Sequence, residues 1–182
     1  RRNYELTHSE YKPVSPEERL ENTMVKDLGN GYAKIYVGDS KEGWVQALKL
    51  FLTMITSESF NGVKHIKISY NSIRPKGEKL KTFGGTASGY EPLKEMFDGI
   101  DKVFKDKLDT TILPMESTSC VDDEKYSHEF TCPTERYYVR PIHILDICNL
   151  IGNNVVVGGV RRTSEIFLCD DDDYEVIFAK YG

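Results

Sequence analysis

The stretch that decides the fold is 32–70, YAKIYVGDSKEGWVQALKLFLTMITSESFNGVKHIKISY. Tyr32 to Val37 has the aromatic and β-branched content of a strand. Asp39-Ser40-Lys41-Glu42 is a capping-box pattern that opens a helix. Behind it Trp44, Ala47, Leu48, Phe51, Leu52 and Ile55 recur at helical spacing and define one apolar face. Asn61-Gly62 breaks that pattern, and Val63, Ile66 and Ile68 lead a second strand toward Tyr70. Strand, helix, strand implies a parallel crossover, so the fold class is α/β.

Working outward, residues 1–14 read as an extended lead-in. Ser15-Pro16-Glu17-Glu18 reads as a helix start, with Ser as cap and Pro in the first turn. That helix is expected to end before the turn signal Gly29-Asn30-Gly31. Downstream, a polar loop from Asn71 to Ser88 precedes a helix that starts near Ser88 or Glu91. Its register runs through Leu93, Met96, Phe97, Ile100, Phe104 and Leu108. Residues 109–138 are the least regular and are expected to be an insertion or excursion. Pro141 opens a third helix through Ile142, Leu145, Cys148, Ile151 and Val155, ended by Gly158-Gly159. A strand from Glu165 to Cys169 and a short helix within Asp171–Lys180 complete the expectation.

Composition sets bounds. The 182 residues carry 24 basic and 29 acidic side chains, a formal charge of −5, with 39% hydrophobic residues. This is globular composition, and it argues against a bulk electrostatic nucleic-acid binder. No apolar run approaches the roughly 18–20 residues that span a bilayer. Cys120, Cys132, Cys148 and Cys169 form no Cys-x-x-Cys pair, so no zinc ribbon or thioredoxin-type site is signalled. Cys148 and Cys169 are expected to pack as small hydrophobes, and Cys120 with Cys132 is a candidate pair across a polar loop. A reducing cytoplasm is the default compartment.

Three loops can carry chemistry. Asp39 lies between strand and helix, where it either caps the helix or binds a ribose hydroxyl at the carboxyl end of a strand. Arg74, Lys76, Lys79 and Lys81 place four cations in eight residues. They are either a solvated face or a phosphate grip, because guanidinium binds phosphate bidentately and ammonium acts as a mobile point charge. The adjoining Phe83-Gly84-Gly85-Thr86-Ala87-Ser88-Gly89 offers backbone N–H groups, without the Gly-Lys-Ser/Thr ending of a P-loop. Gly158-Gly159-Val160-Arg161-Arg162-Thr163 is either a tight turn or a nucleotide-contacting loop. Together the three suit a ribose carrying phosphates.

These segments resemble a known family. Ser72-Ile73-Arg74-Pro75-Lys76-Gly77 with the glycine-rich run after it is similar to loop 1 of ribonucleotide reductases. Val157 to Ile166 is similar to their loop 2, and Asp39 to Trp44 to the start of the intervening helix. The resemblance covers most of residues 32–182 and is greatest to adenosylcobalamin-dependent (class II) ribonucleoside-triphosphate reductases. It implies part of a ten-stranded α/β barrel, and for the full-length protein a thiyl-radical reduction of ribonucleotides that supplies deoxyribonucleotides for DNA replication. It implies adenosylcobalamin as cofactor, a thioredoxin-type reductant and a deoxynucleoside triphosphate effector. The effector would meet Asp39, Ser40, Arg74, Lys76, Lys79 and Lys81, while Gly158, Gly159, Val160, Arg161, Arg162 and Thr163 would form the specificity loop.

The departures matter equally. The family's radical cysteine, with its neighbouring Asn, Pro, Gly and Glu, has no counterpart here, nor do the redox cysteine pair and the C-terminal cysteines. The expectation is an internal piece of a larger reductase, inactive alone, with 1–182 a single fragment of the barrel. A non-catalytic deoxynucleoside triphosphate-binding module is the alternative, and a poorly folding piece with open sheet edges is a third.

Overall fold

The computed structural model describes residues 1–80, 85–118, 136–154, 156–157, 160–161, 164 and 166–179. The chain divides into two compact units.

The first unit is built around a four-stranded sheet of order β1-β4-β3-β2, with β1 at Glu5–His8, β2 at Met24–Gly29, β3 at Tyr32–Tyr36 and β4 at His65–Ser69. β3 and β1 both pair parallel to β4, while β2 pairs antiparallel to β3. Helix α1, Lys41–Thr56, is the crossover between β3 and β4, as the spacing required. The strands turn Ala33, Ile35, Ile66 and Ile68 into the core, and α1 adds Ala47, Phe51, Met54 and Ile55. Tyr4 meets Phe51 edge-on, with ring centroids 5.7 Å apart. Trp44, Leu48 and Leu52 are only partly buried, so they border the apolar stripe.

The carboxyl end of α1 is closed by the start of the chain. Buried Arg2 donates from its guanidinium to the carbonyls of Met54 and Ser57, and to Asn61 Oδ1 at 2.6 Å. A cation there meets the negative end of the helix dipole and satisfies carbonyls the helix cannot.

Residues 1–14 are extended as expected, and β1 within them completes the sheet. One expectation fails nearby. The helix expected after Ser15 is a single 3-10 turn, Pro16–Glu18, and residues 24–29 form β2 instead. The cause is the turn: Gly29, Asn30 and Gly31 all have positive φ, which folds β2 back on β3 as a hairpin.

The second unit contains α2 (Glu91–Phe104), α3 (Pro141–Asn154) and α4 (Tyr174–Phe178). α2 buries Leu93, Met96, Phe97, Ile100, Val103 and Phe104. It packs on α3 where Gly99 leaves room for Leu150: a Cβ on Gly99 would lie 2.8 Å from Leu150 Cδ2. Ile142 and Leu145 of α3 cluster with Val176 of α4, and Ile112 and Phe167 pack against them. Arg140 fixes this arrangement. Its Nε donates to Glu175 Oε2 at 2.9 Å, its Nη2 to Glu175 Oε1 at 3.1 Å, and Nη2 also reaches the Leu113 carbonyl.

Other boundaries differ from expectation. α2 ends at Phe104, not Leu108, because Asp106 takes a left-handed φ of 54°. Leu108 is exposed. Residues 166–170 form no strand: Ile166 and Leu168 are 86% and 88% exposed. Cys169 is exposed rather than packed, while Cys148 is partly buried. The valines after α3 become a short antiparallel pair, β7 (Val156–Val157) with β8 (Val160–Arg161). Another pair, β5 (Ser117–Thr118) with β6 (Arg136–Tyr137), belongs to the first unit. Cys120, Cys132 and Val155 lie outside the described residues.

His143 gives the second unit a pH dependence. It is buried, and its Nδ1 accepts the Arg140 N–H at 3.0 Å, so the neutral ring carries its proton on Nε2, 3.8 Å from Asp106 Oδ1. Burial, then the Arg140 charge, hold its pKa below the ordinary 6.5, while Asp106 and Glu175 oppose. Below 6.5 the unfolded chain therefore binds more protons than the folded one, and stability falls as pH falls through that value. A thermal midpoint that drops from pH 7 to pH 5.5, with a shallower drop in His143→Gln, is the expected result in melting curves. Asp146 acts with the opposite sign and in a lower window. Burial and then Asp109 raise its pKa above 3.8, so its contribution weakens the fold as pH rises from that value.

Candidate functional site

The turn from β3 into α1 is built by contacts with residues 19–23. Ser40, not Asp39, is the N-cap: its Oγ accepts the Gly43 N–H at 2.8 Å and donates to the Glu21 carbonyl at 2.7 Å. The Asp39 N–H donates to the Leu20 carbonyl at 2.7 Å. Thr23 Oγ1 accepts from Gly38 N at 3.0 Å and donates to the Gly43 carbonyl at 2.6 Å, while Thr23 N donates to Gln46 Oε1 at 2.9 Å. Residues 20–23 thus form a strap laid across the first turn of α1. Two glycines let it sit that close. A Cβ on Gly43 would lie 2.8 Å from the Glu21 carbonyl oxygen, and one on Gly38 closer still. The Asp39 carboxylate lies at this turn, with Arg19 Nη1 at 3.9 Å from Asp39 Oδ2 and only 13% and 11% of the two side chains exposed.

The cation loop belongs to the second unit, where its backbone is paired as a hairpin. Gly77 N donates to the Ala87 carbonyl at 2.9 Å, Ala87 N to Glu78 at 2.7 Å, and Leu80 N to Gly85 at 2.8 Å, with Lys79 bridged to Thr86. Arg74 is half-buried at its base, and Lys76 and Lys79 are exposed along it. Lys81, Phe83 and Gly84 lie outside the described residues. α2 starts just beyond the hairpin with Tyr90 as its cap residue, making no side-chain cap bond, and with Glu91 in its first turn. Its positive end therefore faces a carboxylate of its own chain before any ligand arrives.

The specificity-loop residues are only partly placed. Val160 pairs with Val157 and Arg161 with Val156 across the β7–β8 ladder. Gly158, Gly159, Arg162 and Thr163 lie outside the described residues. The structure therefore groups Arg74, Lys76 and Lys79 on one hairpin and puts Asp39 and Ser40 on one turn of the other unit. Arg19 was not foreseen. It precedes Asp39 by twenty positions, outside any motif, and the backbone bond from Asp39 to Leu20 helps to bring it near. Among the described residues no three His, Cys, Asp or Glu side chains converge as a metal site. No described helix is long and apolar enough to cross a membrane.

Comparison with known proteins gives the class. Residues 17–104 match the family model described as "B12-dependent ribonucleotide reductase, insertion domain". The chain is 33% identical over 143 residues, 78% of its length, to the adenosylcobalamin-dependent ribonucleoside-triphosphate reductase of Lactobacillus acidophilus. It is 30% identical over 160 residues, 87% of its length, to the protein of that name from Lactobacillus delbrueckii subsp. bulgaricus. It covers 16% and 18% of those two relatives, under a fifth of their length. A crystal structure of a B-12 dependent (class II) ribonucleotide reductase shares the fold: TM-score 0.59, 24% identity, covering 98% of this chain and 21% of the other.

The mixed α/β fold and these relatives define a segment of a ribonucleotide reductase. More narrowly, the chain belongs to the B12-dependent, class II family, and residues 17–104 correspond to the insertion domain of that family.

Proposed function

We propose that this chain carries the allosteric specificity site of an adenosylcobalamin-dependent ribonucleoside-triphosphate reductase. The full-length protein reduces ribonucleotides to deoxyribonucleotides through a thiyl radical, drawing electrons from a thioredoxin-type reductant. This segment is inactive alone, since it holds no counterpart of the radical cysteine. Its strands belong to the ten-stranded barrel, with 109–138 an excursion from it. When bound to the full-length protein, adenosylcobalamin would supply the radical chemistry. No described side chain is assigned to it.

The observation that carries the reading is the paired hairpin that presents Arg74, Lys76 and Lys79 between β4 and α2. Three cations on a backbone-braced loop suit the triphosphate of a deoxynucleotide effector. Asp39 suits its sugar, with Ser40 holding the turn. Residues 158–163 then report effector identity to the substrate base. This is linkage: an effector that favours one loop conformation favours the substrate that fits it, typically by about 1–3 kcal/mol.

Calorimetric titration with each of the four deoxynucleoside triphosphates at low salt tests the reading. Heat with at least one is expected, and none with any removes it. In the full-length protein, Arg162→Ala is expected to change the ranking of the four substrates more than turnover of the best one. A uniform loss over all four would make this loop merely structural.

A further inference from the structure

We propose that the Glu91 carboxylate is a built-in competitor for the effector triphosphate, holding down the affinity of the hairpin that presents Arg74, Lys76 and Lys79. The inference rests on the effector-site reading above and adds a regulatory residue to it. Glu91 stands in the first turn of α2, directly after the glycine-rich arm of the hairpin. Gly89 holds a left-handed φ of 82°, and its missing side chain leaves the space into which Glu91 folds back. A Cβ on Gly89 would clash with Glu91 Oε2, and would lie 3.1 Å from Lys76 Cβ and 3.3 Å from Lys76 N. The carboxylate and the Lys76 backbone thus crowd the same point.

Two features make this carboxylate an opponent of the site. Among the described residues Glu91 has no hydrogen bond or ion pair, so no cation there, Lys76 included, cancels its charge. The positive end of α2 attracts anions, and with no side-chain cap bond from Tyr90, Glu91 is the anion that this end meets. An incoming triphosphate competes for the same positive field and faces a like charge at close range. Glu91 is exposed, so water screens the repulsion and keeps it modest. The consequence is regulatory. A weaker site empties as effector concentration falls, whereas a permanently saturated one reports nothing.

The test is titration calorimetry of each of the four deoxynucleoside triphosphates on the full-length protein at low salt. Glu91→Gln, which keeps the shape and removes the charge, is expected to bind the effector about fivefold more tightly than wild type. Glu95→Gln removes a charge one turn further along α2, also exposed, and is expected to change affinity less than about twofold. The unliganded Glu91→Gln protein is expected to melt no higher than wild type, because the positive end of α2 loses its anion. General structural damage would instead lower stability and affinity together. An affinity that is unchanged or weaker in Glu91→Gln, or that rises equally in Glu95→Gln, overturns the inference and leaves the effector site standing. Failure of every nucleotide to bind either wild type or Glu91→Gln removes both.

Discussion

Gly38→Ala is expected to cost about 3 kcal/mol of unfolding free energy, toward the upper end for overpacking. The new methyl would press on the Glu21 carbonyl oxygen and the Asn22 carbonyl carbon. These are backbone atoms, which cannot swing aside as a side-chain end can. Relief requires lifting the strap, and lifting it breaks the bonds from Asp39 N to Leu20, from Ser40 to Glu21 and from Gly38 N to Thr23. The measurement is the urea midpoint, with the slope of the transition unchanged. Gly62→Ala is the control, because a Cβ there has nothing within 4 Å. If both variants unfold at the same midpoint, the strap is not fixed to α1.

The second large effect is on binding. The triple variant Arg74→Gln, Lys76→Gln and Lys79→Gln is expected to weaken deoxynucleoside triphosphate affinity about 100-fold at low salt. Exposed ion pairs contribute at most about 1 kcal/mol each, so three lost together approach 3 kcal/mol, and every 1.4 kcal/mol is a factor of ten. Lys76 and Lys79 are exposed, which makes the loss sensitive to screening. Titrations at two salt concentrations should therefore show a flatter salt dependence in the variant. Unchanged affinity would place the triphosphate elsewhere.

The parts legible in the sequence were those whose signal is local. α1 announces itself by a cap, a stripe and a stop. β3 and β4 follow because each is a short apolar run on either side of it. α2 and α3 carry the same periodicity. What could not be read depends on a neighbour. The pattern at Ser15 fits a helix start, yet the chain needs residues 20–23 over α1 and 24–29 beside β3, and neither partner is visible from spacing. Alternating Ile166 and Leu168 look like a strand, but alternation does not supply a strand to pair with. At the candidate site, residue types were legible and pairings were not. Ser40 took the cap that Asp39 was also suited to fill, which left the carboxylate beside Arg19.

The order of strands in the first sheet has a consequence for the time course of assembly. β2 and β3 are joined by a tight turn and can zip first, on the microsecond scale of hairpins. β4 joins only after α1 has carried the chain across. β1 comes first from the ribosome yet docks last, because its register, Glu5 opposite His65, exists only once β4 is in place. That closure spans 60 positions, and non-local pairings of this kind slow folding. β1 therefore waits for its own neighbour, and the seat beside β4 stays open until it arrives.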